Sequence, residues 1–324
     1  MIEVKNLTKR YGNHLAVDHL NFIVNKGEIL GLLGPNGAGK STTMNMITGY
    51  ISSTDGTVTI DGFDILEEPE EAKRRIGYLP EQPPIYMDMT VWEYLRFVAD
   101  LKSVSKANVK GMIEEICEET KLTEVKNRLI RQLSKGYKQR VGIAGALIGY
   151  PDVIILDEPT VGLDPKQIIE IRDLIKRLSS KHTVILSSHI LSEVSAVCDR
   201  VMIINKGKMI VDDVPENLAH YANRSSGLNM VIKGDEEKVT ELMKKTPEVS
   251  QFTTEKKGDS LVAVTVYAKD NKDIREELFY ACANEMLPIY ELSQQTITLE
   301  DTFLELTKEQ PLEDEAEVKK EEEE

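Results

Sequence analysis

Nine consecutive residues, Gly34, Pro35, Asn36, Gly37, Ala38, Gly39, Lys40, Ser41 and Thr42, constrain this chain more than any other feature. They follow the apolar run Ile29 to Leu33 and precede a helical stretch, so the pattern GxxxxGK[ST] stands between a strand and a helix, the context it needs. Gly34, Gly37 and Gly39 let the backbone curl into positive φ, and successive N–H groups then converge on one anion. The helix expected to begin near Lys40 adds its positive end. A triphosphate is the expected ligand, with Lys40 on the β- and γ-phosphates, Ser41 on a Mg²⁺ ion and Thr42 near the α-phosphate.

The second half of such a site is a carboxylate pair at a strand end. The run DVIILDEP places Asp157 directly after four aliphatic residues, where a carboxylate needs a cation or a donor to justify its position. Asp157 is assigned to the metal through water, and Glu158 to the attacking water as general base.

Residues 1 to 215 alternate strand and helix patterns. The runs EILGLLG, DVIILDE and HTVILSS are apolar nearly throughout, as in a parallel sheet covered on both faces. Shorter alternating segments before residue 62 predict an antiparallel edge layer, and residues 83 to 150 read as a mostly helical insertion. From residue 216 to about 310 the order becomes strand, helix, strand, strand, helix, strand, which predicts a small ferredoxin-like α+β domain closed by a helix over LEDTFLELT. Residues 311–324 form an acidic segment expected to be disordered. Residues 313–324 hold eight acids and two lysines; without that net −6 the remaining charge is −9. An acidic body with no basic stripe argues against nucleic acid as a partner. Three isolated cysteines suggest neither disulfides nor zinc and fit a reducing cytoplasm, and no apolar segment reaches the length of a membrane span.

A phosphate loop and an acid pair define a nucleoside triphosphatase and no more. The run LSKGYKQR, from Leu133 to Arg140, decides the family, because it resembles the LSGGQ signature of ATP-binding cassette (ABC) proteins and lies just ahead of Asp157. In family order, Tyr11 is similar to the aromatic adenine platform, Gln82 to the Q-loop glutamine, Asp164 in GLD to the D-loop and His189 in LSSH to the switch histidine. The resemblance implies ATP and Mg²⁺ as ligands. It gives Gln82 a catalytic and metal-side role beside Glu158 and His189. It also implies a head-to-tail pair of cassettes, in which Ser134, Lys135 and Gly136 of one copy, with Asp164, close over nucleotide held by the other. The implied partners are a membrane permease on a separate chain and a second ATP-binding subunit, two identical copies being the simpler arrangement, at the inner face of the cell membrane. The LSKGY form with a C-terminal α+β extension is similar to type 2 exporter subunits. A soluble ABC ATPase acting on ribosomes or DNA repair is the competing reading; one cassette and no sustained heptads weigh against it.

Two residues have a second, local role. Asp164 before Pro165 suits a helix N-cap with proline at the first helical position, and Ser134 suits the cap of its own helix. Lys135 stands in a first helical turn, facing the wrong end of the dipole unless an anion lies opposite.

Overall fold

A computed structural model describes residues 1–221, 227–258, 260–269 and 272–294, together with Phe303 and Thr307. The chain divides into two compact units. One holds residues 1–217 and takes the chain back at Thr307; the other begins at Leu218 and includes Phe303. The acidic segment 311–324 and most of the expected closing helix over 299–307 lie outside the described residues.

The first unit opens with β1 (Ile2–Tyr11), β2 (His14–Val24), β3 (Ile29–Leu33), α1 (Lys40–Ile47), β4 (Asp55–Ile60), β5 (Phe63–Asp64), α2 (Pro69–Arg74) and β6 (Ile76–Leu79). It continues with α3 (Val91–Leu101), α4 (Lys106–Glu119), α5 (Lys135–Leu147), β7 (Val153–Leu156) and α6 (Pro165–Leu178). Last come β8 (Thr183–Ser188), α7 (Leu191–Ser195), β9 (Arg200–Asn205) and β10 (Lys208–Asp213).

Every residue of β3, β7 and β8 is buried, which explains their unbroken apolar character. They lie in a six-stranded sheet of order β10-β9-β3-β8-β7-β6. All of its neighbours run parallel except β10, which pairs antiparallel with β9 at the edge. A separate four-stranded antiparallel sheet, β2-β1-β4-β5, forms the expected edge layer. Its inward residues Val4, Leu7, Val17 and Val58 share one apolar core with Met44 and Ile47 of α1 and Leu32 of β3.

Register decides where the functional loops emerge. Leu33 pairs with Ser188, Leu156 with Leu186, and Leu79 with Leu156. The carboxyl ends of β3, β6, β7 and β8 therefore lie along one edge, where ligands of parallel sheets bind. The helical insertion is made of α3, α4 and α5. Thr90 and Glu93 form a reciprocal capping box that starts α3. Arg140 holds the insertion to α6, donating to Glu170 Oε2 at 2.6 Å and to Thr120 O at 3.1 Å.

The second unit contains β11 (Leu228–Lys233), α8 (Glu236–Lys245), β12 (Val249–Lys256), β13 (Leu261–Ala268), α9 (Arg275–Asn284) and β14 (Ile289–Gln294). Its sheet is antiparallel throughout, in the order β12-β13-β11-β14. This is the ferredoxin-like arrangement expected from the sequence. Val239, Leu242 and Met243 of α8 and Leu278 and Cys282 of α9 pack on Met230, Ile232, Val262 and Val264 of the sheet.

Candidate nucleotide site

At the edge where β3, β7 and β8 end, a cavity of about 570 Å³ is lined by Tyr11, residues 36–42, Glu158 and His189, with His14, Ala16, Glu81 and Val161. Gly37 and Gly39 have φ of 81° and 108°, the left-handed region that the loop was expected to need. Gly34 does not share that φ: a Cβ there would stand 2.3 Å from Ile204 O, so this glycine is required by the close approach of β9.

Lys40 is buried, and its ammonium donates to Gly34 O at 2.7 Å and Pro35 O at 3.3 Å, with Glu158 Oε1 at 3.7 Å. Loss of water pushes its pKa below the ordinary value, a shift partly offset by Glu158, Asp157 and Glu81. A buried ammonium whose neighbours are loop carbonyls and one ion pair is suited to an entering anion.

Asp157 lies behind the cavity, almost fully buried. Ser187 Oγ donates to Asp157 Oδ1 at 2.5 Å and accepts the Glu158 N–H at 2.8 Å. Glu158 itself has φ 49°, an uncommon conformation for glutamate, which the Ser187 contact and its buried surroundings hold in place. Its carboxylate has His189 Nδ1 3.0 Å from Oε2. Beyond them, the Thr160 hydroxyl donates to Glu193 of α7, tying the segment after Glu158 to the segment after His189.

Among the described residues no group of three or more His, Cys, Asp or Glu side chains could hold a metal ion by itself. The Ser41 hydroxyl on the cavity and the Asp157 carboxylate behind it are oxygen donors, the chemistry Mg²⁺ takes when it shares a site with water and phosphate oxygens.

Several expected residues are not on this cavity. Gln82 is exposed and does not line it; the neighbouring Glu81 does. Both residues lie in the bend that follows the end of β6 at Leu79. Ser187, the donor that fixes Asp157, was hidden in an apolar strand where serine reads as neutral.

Ser134, Lys135, Gly136 and Asp164 are also outside the cavity. Ser134 caps α5, its side chain accepting from Tyr137 N at 3.4 Å, and Asp164 caps α6, accepting from Gln167 N at 2.9 Å with Pro165 at the first position. Gly136 faces α6, where a Cβ would come within 2.7 Å of the Gln167 side chain. Lys135 lies across the turn at Gly162: a Cβ built on that glycine would fall 2.0 Å from Lys135 Nζ.

A glycine-rich loop between a buried parallel strand and a helix, facing an acid pair at the end of a strand in the same sheet, defines a P-loop nucleoside triphosphatase. Comparison with known proteins narrows the class. The ABC transporter family profile matches residues 17–161. The bacitracin transport ATP-binding protein BcrA of Bacillus licheniformis is 38% identical over 80% of this chain and 83% of its own. The linearmycin resistance ATP-binding protein LnrL of Bacillus subtilis is 32% identical over 95% of this chain and 98% of its own. A solved ATP-binding subunit of an ABC transporter superposes with a TM-score of 0.62 at 31% identity, covering 68% of this chain and 92% of that one. A dimeric cassette in a post-hydrolysis state with ADP and Pi gives 0.60 at 28% identity, over 66% and 99%. The chain belongs to the ATP-binding proteins of ABC transporters and is an ABC-family ATPase. No helix among the described residues is long and apolar enough to cross a membrane.

Proposed function

We propose that the chain is the ATP-hydrolysing motor of a membrane exporter, acting as a head-to-tail pair of identical copies beneath a permease carried on another polypeptide. One observation supports this reading above others: the cavity gathers Tyr11, the phosphate loop, Glu158 and His189, while Ser134 and Asp164 stand on elements that do not line it. One copy thus offers two half-sites, and pairing them supplies each cavity with the other copy's α5 end.

In this reading Tyr11 stacks on the adenine, and the loop N–H groups with Lys40 hold the triphosphate. Ser41, Gln82 and, through water, Asp157 would hold Mg²⁺, which when bound would neutralise charge on the phosphate oxygens. Glu158 takes the proton of the attacking water, His189 orients that water, and Ser134, Lys135 and Gly136 of the second copy close the site. Gln82, in the bend after β6, takes the role beside the metal and attacking water that its motif implies. The names of the relatives, bacitracin transport and linearmycin resistance, support a transporter rather than a soluble machine. The two compact units correspond to a cassette and an accessory domain, and the assembly sits at the inner face of the cell membrane.

The test is capture of tagged Glu158→Gln protein from native membranes in mild detergent with ATP. A polytopic membrane protein as the major partner is expected. Ribosomes, or no membrane protein, would overturn the motor reading.

A further inference from the structure

Glu158 and His189 follow the ends of two neighbouring strands, β7 and β8, and their side chains meet with His189 Nδ1 3.0 Å from Glu158 Oε2. Little else fixes the imidazole. The His189 side chain is 44% exposed, and among the described residues Glu158 is its one hydrogen-bond partner. Where the ring stands is therefore decided by the backbone that carries it and by the backbone that carries Glu158.

Neither backbone segment is well supported by its own hydrogen bonds. After Glu158 come two single turns, with Val161 N donating to Glu158 O and Leu163 N to Thr160 O, both at 3.2 Å. After His189 comes α7, only five residues long, too short to keep its shape without outside contacts. Apolar packing anchors it on one side: Leu191 and Val194 are buried, and Val194 Cγ1 reaches so close to β3 that a Cβ on Gly31 would fall 2.2 Å from it. A polar contact anchors it on the other. Glu193 accepts the hydroxyl of Thr160, which lies two residues past Glu158.

Thr160 is buried, and its branched Cβ confines the hydroxyl to few directions. A buried hydroxyl needs an acceptor, and a carboxylate makes the stronger bond. Two side-chain contacts thus close a ring between the segments, Glu158 with His189 at the cavity and Thr160 with Glu193 behind them. Neither Thr160 nor Glu193 lines the nucleotide cavity. They reach the chemistry only through the two residues that they space apart.

We propose that Thr160 and Glu193 form a clasp that fixes the separation of Glu158 and His189 across the attacking water, which makes both of them positioning residues for hydrolysis. The proposal rests on the roles given above to Glu158 and His189 and adds what holds those two side chains in register. Loss of the clasp frees α7 to shift with its histidine, and a displacement of about 1 Å at a reacting group is enough to slow a reaction strongly. Binding of ATP is unaffected, because the phosphate loop and Tyr11 lie on other elements.

The experiment measures single-turnover hydrolysis and nucleotide retention on a filter, both on the full chain. Thr160→Val, similar in size but without the hydroxyl, is expected to hydrolyse about ten-fold more slowly while binding ATP within about two-fold of the parent. Thr160→Ser restores the donor and Glu193→Gln keeps an acceptor oxygen, so each stays within about three-fold of the parent. Glu193→Ala matches Thr160→Val, and the double variant is no more than about two-fold slower than either, since both changes break one contact. Should Thr160→Val not fold, Glu193→Ala set against Glu193→Gln carries the same comparison. The deciding measurement removes the imidazole: in a His189→Ala background, Thr160→Val adds less than about two-fold, whereas a merely structural loss would be the same in both backgrounds. An equal loss in both, or Thr160→Ser as slow as Thr160→Val, or Thr160→Val at the parental rate, would overturn the clasp and leave the roles of Glu158 and His189 standing. His189→Ala hydrolysing at the parental rate would overturn the role of His189 and the clasp with it.

Discussion

Ser187 holds Asp157 from behind the nucleotide cavity, its hydroxyl donating to the carboxylate at 2.5 Å while accepting the backbone N–H of Glu158 at 2.8 Å. Both side chains are essentially sealed from water. Ser187→Ala therefore leaves a buried carboxylate oxygen and a buried N–H short of partners, at a cost of about 1–3 kcal/mol. Urea unfolding is expected to show that loss, and ATP turnover to fall with it, because the left-handed backbone at Glu158 loses one of the contacts that hold it.

Glu158→Gln preserves the size of the side chain and its place beside His189 and Lys40 but removes the base. Turnover is expected to fall by at least about 100-fold while ATP is still bound. Measured together, nucleotide retention on a filter and phosphate release separate these effects. A variant that hydrolyses at the parental rate would remove Glu158 from the role of base.

Glu81 and Gln82 make opposite predictions for adjacent positions. Gln82→Ala is expected to lower ATPase activity by about ten-fold or more, since it removes the amide proposed to face the metal and attacking water, whereas Glu81→Ala, which removes only a minor influence on Lys40, stays within about three-fold. Steady-state kinetics of the two purified variants decide the matter. The comparison also shows what sequence can and cannot reveal. The phosphate loop and the pair Asp157-Glu158 are legible because their residue types are dictated by chemistry and their spacing by one strand and one helix. Which of two neighbours faces inward depends on where β6 ends, and that is fixed by pairing with β7, a contact between residues nearly 80 positions apart. Gly34 illustrates the same limit: its glycine was legible, but the reason, the nearness of Ile204 O, comes from a distant strand. The second unit was easier to read, because alternating burial along β13 is written directly into LVAVTVYA.

Lys135, an exposed residue at the start of α5, lays its ammonium over Gly162 in the single chain. In a closed pair, a facing triphosphate would compensate the unfavourable end of the helix dipole. Lys135→Gly is expected to weaken ATP-dependent dimerisation by several-fold at about 50 mM salt and to differ little at about 500 mM, where exposed charges are screened. Sedimentation of the Glu158→Gln background with ATP at both salt concentrations measures this. No difference at either would leave Lys135 a surface residue.

Arg200 ties three strands together, donating to Glu28 Oε1 at 2.6 Å, to both Asp212 oxygens at 2.7 Å and to the Ile23 carbonyl. Burial alone would raise the Glu28 pKa, but Arg200 and Asn25 together hold it below its ordinary value of 4.5. A carboxyl with a depressed folded pKa contributes stability above the unfolded value and loses it as pH falls through the folded one. Arg200→Met is thus expected to cost about 1–3 kcal/mol at neutral pH, by loss of charged hydrogen bonds. The gap from the parent should narrow below about pH 4.5, since Glu28 then gains less from the arginine. Asp212, pushed above its ordinary value chiefly by burial, acts in the same direction, because without Arg200 its charge is costlier still. Denaturant midpoints across this range test the sign.

The strand order of the second unit has a consequence for how such a chain can be assembled. Its first strand, β11, and its last, β14, are antiparallel neighbours, with Leu228 opposite Gln294. The chain therefore enters the first strand of that sheet and leaves its last at points about one strand spacing apart, roughly 5 Å. A module with adjoining ends imposes no stretch on its host. Such a sheet could be cut out or exchanged without stretching the chain on either side of it.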